Sequence, residues 1–305
     1  MSFGLSTSWN AFRHSGGRDL IFEIKKAGFS EVELGFNLTQ AMVEEVAALV
    51  KDGQVRVLST HNYCPIPEGL KREEALPDCY SMASLDERQR KMAVDQTKKT
   101  IETAKRLSAR AVVLHCGRVE IADRTKHLMQ LYVDNRRESR DFDEFKSDIV
   151  KERERLARPF FENTLKSLKE LSGFAASQGI ALGIENRIYY REIPSFQEIG
   201  IILDRFRNQG VQYWHDTGHA QIMENLGLAR HKDYLESYAK DLIGCHFHDV
   251  AGCHDHQAPS KGELDFAFLQ PYLKKETIRI IEAHYPATEK DIADSKVYLE
   301  NIFGA

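Results

Sequence analysis

The chain has 305 residues, 42% hydrophobic and 29% charged, the composition of an ordinary globular protein with core enough to need no disulfide staples. A formal net charge of −4 and a pI near 6.3 give no overall basic field, so strong non-specific nucleic-acid binding is not implied. No apolar run approaches the roughly 20 residues that span a bilayer, and five Cys without a framework spacing favour a reducing cytoplasm.

Met1-Ser-Phe-Gly-Leu-Ser6 has no basic segment followed by an apolar core, so it does not read as a signal peptide. From there, short apolar runs alternate with helical stretches. Residues 3–8 are expected as a strand, 19–27 as a helix, 31–35 as a strand and 39–51 as a helix. Residues 55–61 form a third predicted strand ending in His61. A loop with Pro65, Pro67 and Pro77 leads to a helix over 86–107, and 111–115 is a fourth strand ending in His115. Residues 118–158 carry 11 Lys/Arg and 10 Asp/Glu, which reads as an insertion with a lid, followed by a long helix stopped at Gln178-Gly179. Strands are then expected over 180–185, 211–215, 242–245 and 277–282, and a last helix over 289–302. Eight β-then-α units are the count of an α/β barrel, a (β/α)8 TIM barrel in one domain, 1–305, with an insertion after strand four. The open doubly wound sheet lacks support, since no Gly-x-Gly-x-x-Gly or Walker loop follows a strand.

In such a barrel the functional residues sit at the C-terminal ends of the strands. Collected in order, those ends supply His61, His115, Glu185, Asp216, His246 and Glu282. Seven of the twelve His fall in residues 211–262, which adds to the impression of a metal site. Carboxylate oxygen with imidazole nitrogen suits Zn²⁺, Mn²⁺, Fe²⁺ or Co²⁺ rather than Ca²⁺.

The motifs Gly183-Ile-Glu-Asn186, His215-Asp-Thr-Gly-His-Ala220, His246-Phe-His-Asp249, His256-Gln-Ala-Pro-Ser-Lys-Gly262 and Ile281-Glu282 together resemble the xylose-isomerase-like TIM-barrel superfamily. That group includes sugar (phosphate) isomerases and epimerases and the endonuclease-IV-type apurinic-site nucleases. The resemblance implies a four-ligand divalent metal site at Glu185, Asp216, His246 and Glu282, with Glu185 and Glu282 as the acid/base pair. It offers His61, His115, His219, His254, His256 and Lys261 as candidates for further metal or substrate contact. The nuclease pattern has Asp two residues before His256. This chain has His254 there and Asp255 one residue late, which leaves a third metal without its carboxylate.

Other residues have plainer expectations. His248 is expected in packing or support rather than as a ligand, and Asp249 is a candidate partner for a ligand His. His14, His127 and His231 are expected at the surface. Trp9, Tyr63 and Trp214 could wall a pocket, with barrel packing at least as good a reading for Trp214. Cys64, Cys116, Cys245 and Cys253 lie near strand ends, where buried thiols are commoner than ligands.

The resemblance implies an isomerase or epimerase of a sugar or polyol derivative. It would act through an enediolate with a divalent ion, Zn or Mn first and Mg, Co or Fe next. The partner is then a small sugar or sugar phosphate, in the cytoplasm, with no membrane and with homo-oligomerisation left open. A Zn-dependent apurinic-site phosphodiesterase is the alternative. The many His favour it, whereas the acidic balance and mixed insertion, unlike a DNA clamp, oppose it. A non-catalytic metal or ligand binder on the same barrel is the third reading.

Overall fold

Runs such as Ala111-Val-Val-Leu114 and Ile278-Arg-Ile-Ile281 become strands because β-branched side chains fit a pleated surface covered on both faces. The computed structural model describes residues 2–304; the terminal Met1 and Ala305 of the expected 1–305 domain lie outside them. Strands β1 (Gly4–Ser6), β2 (Glu31–Leu34), β3 (Arg56–His61), β4 (Ala111–Leu114), β5 (Ala181–Glu185), β6 (Val211–Asp216) and β7 (Leu242–Phe247) pair in parallel in chain order. An antiparallel hairpin of β8 (Asp249–Ala251) and β9 (His254–Gln257) follows, and β10 (Ile278–Ile281) then closes the barrel between β7 and β1. The expected eight-stranded barrel is present.

Most strands are followed by helices, as expected. These are α1 (Gly17–Lys26), α2 (Gln40–Lys51), α3 (Glu87–Arg106), α4 (Thr125–Val133), α5 (Arg140–Gln178), α6 (Phe196–Arg205), α7 (Thr217–Asn225), α8 (His231–Tyr238) and α9 (Glu289–Phe303). Several starts have a local cause. Thr39 caps α2 through the Met42 amide, and Ser195 with Glu198 forms a capping box on α6. Gly179, at φ 70°, ends α5 in the left-handed conformation that glycine adopts without strain. On α1, Leu20, Ile21 and Ile24 share the buried face, each stabilising the fold by roughly 1.5–3 kcal/mol. The eight-unit expectation fails between β7 and β10. There the hairpin and a 3-10 turn at Phe266–Tyr272, containing Pro271, stand in place of an α-helix.

The 118–158 insertion is packed rather than hung as a free lid. Leu128, Leu131, Phe142 and Ile149 bury against Ile188, Ile222 and Val250 on the barrel rim. Its charges largely pair among themselves, as in Arg140–Glu144 at 2.6 Å and Lys146–Asp143 at 3.3 Å. Buried Arg153 ties α5 to α6 through Glu198 at 2.6 Å.

Trp214 fills the barrel interior among Leu58, Val113, Ile278 and Ile280. Gly183 and Gly244 make the room: a Cβ on Gly244 would lie 2.1 Å from Trp214 Cζ3. Trp214 is therefore core, its ring 5.0 Å below His246. Trp9 and Tyr63 are also buried, bonded to Ala287 O at 2.9 Å and Tyr80 O at 2.8 Å, and do not wall the central cavity. Cys64, Cys116 and Cys245 are buried thiols, and no cysteine joins a donor cluster among the described residues.

Candidate metal centre

Four neighbouring strands converge on one point at the C-terminal mouth of the barrel. Glu185 ends β5, Asp216 ends β6, His246 lies near the end of β7, and Glu282 follows β10. Parallel register sets Asp216 beside His246, and His246 beside Ile280, two residues before Glu282. Four donor atoms, one from each side chain, lie within 4.8 Å of one another, and all four residues are buried.

His246 is at the centre. Its Nδ1 lies 2.8 Å from Glu185 Oε1, 2.9 Å from Glu282 Oε2 and 3.7 Å from Asp216 Oδ2. Burial disfavours an imidazolium here, but Glu282 and Glu33 on opposite sides more than reverse this and hold the pKa well above the usual imidazole range. Asp216 is also the N-cap of α7, so its two oxygens have separate duties. Oδ1 accepts the His219 amide at 2.7 Å and His248 Nε2 at 2.8 Å. Oδ2 is buried with no hydrogen-bond partner and faces the cluster. Burial raises the Asp216 carboxyl, and His219 and His248 outweigh it, leaving it well below the ordinary range. Three buried carboxylates converge on one imidazole, and one oxygen of Asp216 is left bare toward the cluster. The donor set fits a Zn²⁺- or Mn²⁺-type divalent ion.

A cavity of about 200 Å³ opens above this cluster. His61 and His219 line it, each with one nitrogen engaged: His61 Nδ1 to Asn62 O at 3.2 Å, His219 Nδ1 to Asn186 O at 3.1 Å. A carbonyl can only accept, so each Nε2 is left as an acceptor. Burial lowers both pKa values, that of His219 to about 4, so both rings are neutral. His115 lines the same cavity, with Nε2 2.9 Å from Glu185 Oε2. His256 also lines it, at a left-handed φ of 51°, with its ring stacked 3.8 Å from His284.

The remaining candidates separate. His254 is exposed on β9 and joins no donor cluster among the described residues. Lys261 does not line the central cavity; it pairs with Asp291 at 2.9 Å. His248, one residue past the end of β7, takes the expected supporting role. Its Nδ1 accepts the His256 amide at 2.9 Å, so Nε2 carries the hydrogen given to Asp216. The Asp249 carboxylate partners no histidine ring among the described residues. Instead it accepts the amides of Ser260, Gly262 and Leu264, shaping the loop that hydration alone would leave loose. His231 is buried rather than at the surface, because the N-terminus of α8 packs it on His215, Nε2 to Nε2 at 3.0 Å. His14 is partly buried against Glu23, and His127 is exposed.

Five contributors escaped the strand-end reasoning. Glu33 of β2 is fully buried, and its carboxylate meets His246 Nε2 at 3.0 Å and accepts Ser59 Oγ at 2.7 Å. The alternation Glu31-Val-Glu33-Leu was the available signal. Asn186 clamps Asp216 at both its amide (2.8 Å) and its carbonyl (3.0 Å). Arg187, two residues after Glu185, bonds Glu185 Oε2 and Glu192 Oε1. Asp78 approaches His115 Nδ1 at 3.6 Å. His284, two residues after Glu282 in an extended segment, lines the cavity with a buried, unpartnered Nε2. Nothing in spacing alone marked Asp78.

Residues 21–301 match a family model described as a xylose isomerase-like TIM barrel. Comparison with curated protein sequences gave no significant match. Among solved structures, a D-tagatose 3-epimerase-like protein is similar at a TM-score of 0.70 and 19% identity, over 100% of this chain and 97% of that one. The 3-keto-D-glucoside 4-epimerase YcjR from E. coli gives 0.68 and 17%, over 99% of each chain. The IOLI protein, solved with a zinc atom, gives 0.68 and 13%, over 100% of this chain and 98% of that one. At these identities the likenesses establish the fold.

Proposed function

The chain belongs to the xylose isomerase-like TIM-barrel family, and from that premise we propose that it is a divalent-metal-dependent isomerase or epimerase of a small, unphosphorylated sugar or polyol derivative. The observation that carries this reading is the pair Glu185 and Glu282. They stand 2.8 and 2.9 Å from His246 Nδ1, at the floor of a cavity of about 200 Å³. Two structural neighbours, one an epimerase and one epimerase-like, support the reaction class. The zinc atom of a third supports the ion.

Glu185, Asp216, His246 and Glu282 would hold the ion. When bound, it supplies Lewis-acid polarisation of a carbonyl and its neighbouring hydroxyl. The rest of the work falls to the protein. Glu185 and Glu282 are both held below the ordinary carboxylate range against the upward push of burial, Glu185 chiefly by Arg187 and Glu282 chiefly by His246. Both therefore start ionised. One takes the proton from the carbon beside the carbonyl. The other takes the proton of the neighbouring substrate hydroxyl and delivers it to the opposite face of the carbon as the enediolate collapses, and the first then returns its proton to that oxygen. The Nε2 atoms of His61 and His219 accept substrate hydroxyls and fix the sugar's orientation. Phe36, Ile188 and Tyr189 wall the cavity and limit water at the reacting carbon.

Among the described residues lining the cavity, the one Lys or Arg is Arg187, already bonded to Glu185 and Glu192. No unpaired cation is there to meet a phosphate, which favours a neutral substrate. The same cavity is small for a DNA backbone with a flipped sugar, and the self-paired charges of the insertion offer no phosphate track.

The test is solvent deuterium exchange into a panel of ketoses by the metal-loaded protein. We expect exchange in the wild type and a loss of at least about 10²-fold in Glu185→Gln and in Glu282→Gln. Incision of an abasic-site oligonucleotide that vanishes in Glu185→Gln would overturn the reading. So would a wild type that holds the ion but exchanges no proton in any ketose.

A further inference from the structure

Four further donor clusters lie around the centre among the described residues, and one of them shares Glu185. Ligand atoms of His61, His115 and Glu185 lie within 4.8 Å of one another. By residue type this trio could hold a second ion, with Glu185 bridging. The two oxygens of Glu185 face different ways: Oε1 toward His246 and the four-donor cluster, Oε2 toward His115 at 2.9 Å. That second oxygen has another occupant, because Arg187 Nη1 is hydrogen-bonded to it.

We propose that Arg187 is a fixed cation standing where a second metal ion would bind, and that it holds the centre to a single ion. This rests on the mononuclear isomerase reading above and gives that reading a structural cause.

A carboxylate oxygen has two lone pairs. On Glu185 Oε2 one meets His115 Nε2 and the other meets the guanidinium, so neither is free for an ion. A divalent ion at that oxygen would also face a delocalised positive charge at contact distance. Arg187 cannot readily swing aside. Its Nη2 is bonded to Glu192 Oε1 at 3.1 Å, and Glu192 is itself fixed by the Tyr189 amide at 2.9 Å. The side chain is 6% exposed, and its Nε is buried without a partner. Such a group stays in place because the surrounding anions hold it. Asp78 adds a third carboxylate to this cage, with Asp78, His115 and Glu192 also offering ligand atoms within 4.8 Å. Arginine suits this duty better than lysine. Its charge is permanent, and its forked donors reach two carboxylates at once. Take the guanidinium away, and the same anions with two imidazoles become a second cation site.

The experiment is metal content by mass spectrometry after dialysis with Zn²⁺, alongside equilibrium titration of metal-free protein. Wild type is expected to hold about one ion per chain. Arg187→Ala is expected to hold about two, with the additional ion lost again in the double variant Arg187→Ala/His61→Ala. Arg187→Lys keeps a cation and is expected to stay at one, which also controls for folding. Wild type at one and Arg187→Ala unchanged at one, with native circular dichroism, overturns the proposal while the isomerase reading stands. Wild type already at two or three, but still exchanging ketose protons, overturns the proposal alone. Wild type at two or three with abasic-site incision overturns both.

Discussion

Glu33→Gln is the sharpest probe of how the barrel interior serves the site. Glu33 is fully buried, and its carboxylate contacts His246 Nε2 at 3.0 Å, on the far side of the ring from the four-donor cluster. The amide keeps the volume and an acceptor for Nε2–H, and it can still bond Ser59, now 2.7 Å from the carboxylate. The loss to folding should therefore stay within about 1.5 kcal/mol, the scale of one altered hydrogen bond. The loss to metal binding should be larger. A carboxylate behind a ligand histidine orients the ring and raises its basicity, and removing such a partner typically weakens metal affinity about 10- to 100-fold. That is about 1.4–2.7 kcal/mol. Competition against a chromogenic chelator measures the affinity, and melting in excess EDTA measures the metal-free fold. The reasoning is refuted if Glu33→Gln binds Zn²⁺ within about threefold of wild type. It is also refuted if the variant loses affinity only in proportion to a collapsed fold.

Two further outcomes follow from the interior. Gly244→Ala should destabilise by about 1–3 kcal/mol or more, read by urea denaturation, because the new Cβ meets the rigid indole of Trp214 at 2.1 Å; a change below about 0.5 kcal/mol would mean that the indole is free to move. The metal-free protein should be most stable near pH 6.5. Burial lowers the pKa of His215 to about 3 and that of His231 well below the ordinary value, so below about pH 6.5 the unfolded chain takes up protons that the native one refuses. Stability then falls with falling pH by about 1.4 kcal/mol per unit for each such imidazole, until the folded pKa is reached. On the alkaline side the sign reverses. Burial and Arg187 push His115 down, but Asp78 and Glu185 lift it to about 9, so its contribution is fully present below about pH 6.5 and lost as pH rises through 9. Urea denaturation in EDTA between pH 5 and 9 measures both limbs. A flat acid limb would show that the buried His pair takes up its proton without unfolding.

The strand ends were legible because a barrel converts position along the chain into position in space. Any polar residue that terminates an apolar run of a parallel strand arrives at the same mouth, so Glu185, Asp216, His246 and Glu282 can be collected from the sequence alone. The same logic could not reach Glu33. It lies within a strand, and only the closure of β1 through β3 around the axis carries its side chain under His246. Nor could it sort the surplus histidines. His231 reads as a surface residue at the start of a short polar helix, and burial came from where α8 docks. His248, two residues past His246, falls on the same side of the chain by the period of two, and its bond to Asp216 Oδ1 fits that placement. Lys261 was not sorted, because its pairing with Asp291 of α9 is a tertiary accident that sequence distance hides. The helix missing between β7 and β10 belongs to the same class. The amides gathered by Asp249 hold the loop there, and they leave no periodic trace.

The division of labour within single side chains explains why so few residues suffice. Asp216 uses one oxygen to start α7 and keeps the other bare for the centre, so the helix start and the ligand geometry cannot drift apart. Glu185 turns one oxygen to His246 and the other to His115 and Arg187, which couples the proposed proton-transfer group to the rim of the cavity. His246 faces the cluster with Nδ1 and the barrel interior with Nε2. In each case a rigid element end fixes one half of the group and leaves the other half free to act. This is the arrangement a site needs when it must hold an ion and move a proton with the same carboxylate. It also predicts where tolerance ends. Substitutions that keep charge but shorten the side chain, such as Glu185→Asp, break one of the two attachments. They should cost more than the same change at Glu192, whose oxygens both serve Arg187 and the Tyr189 amide at the edge of the cavity.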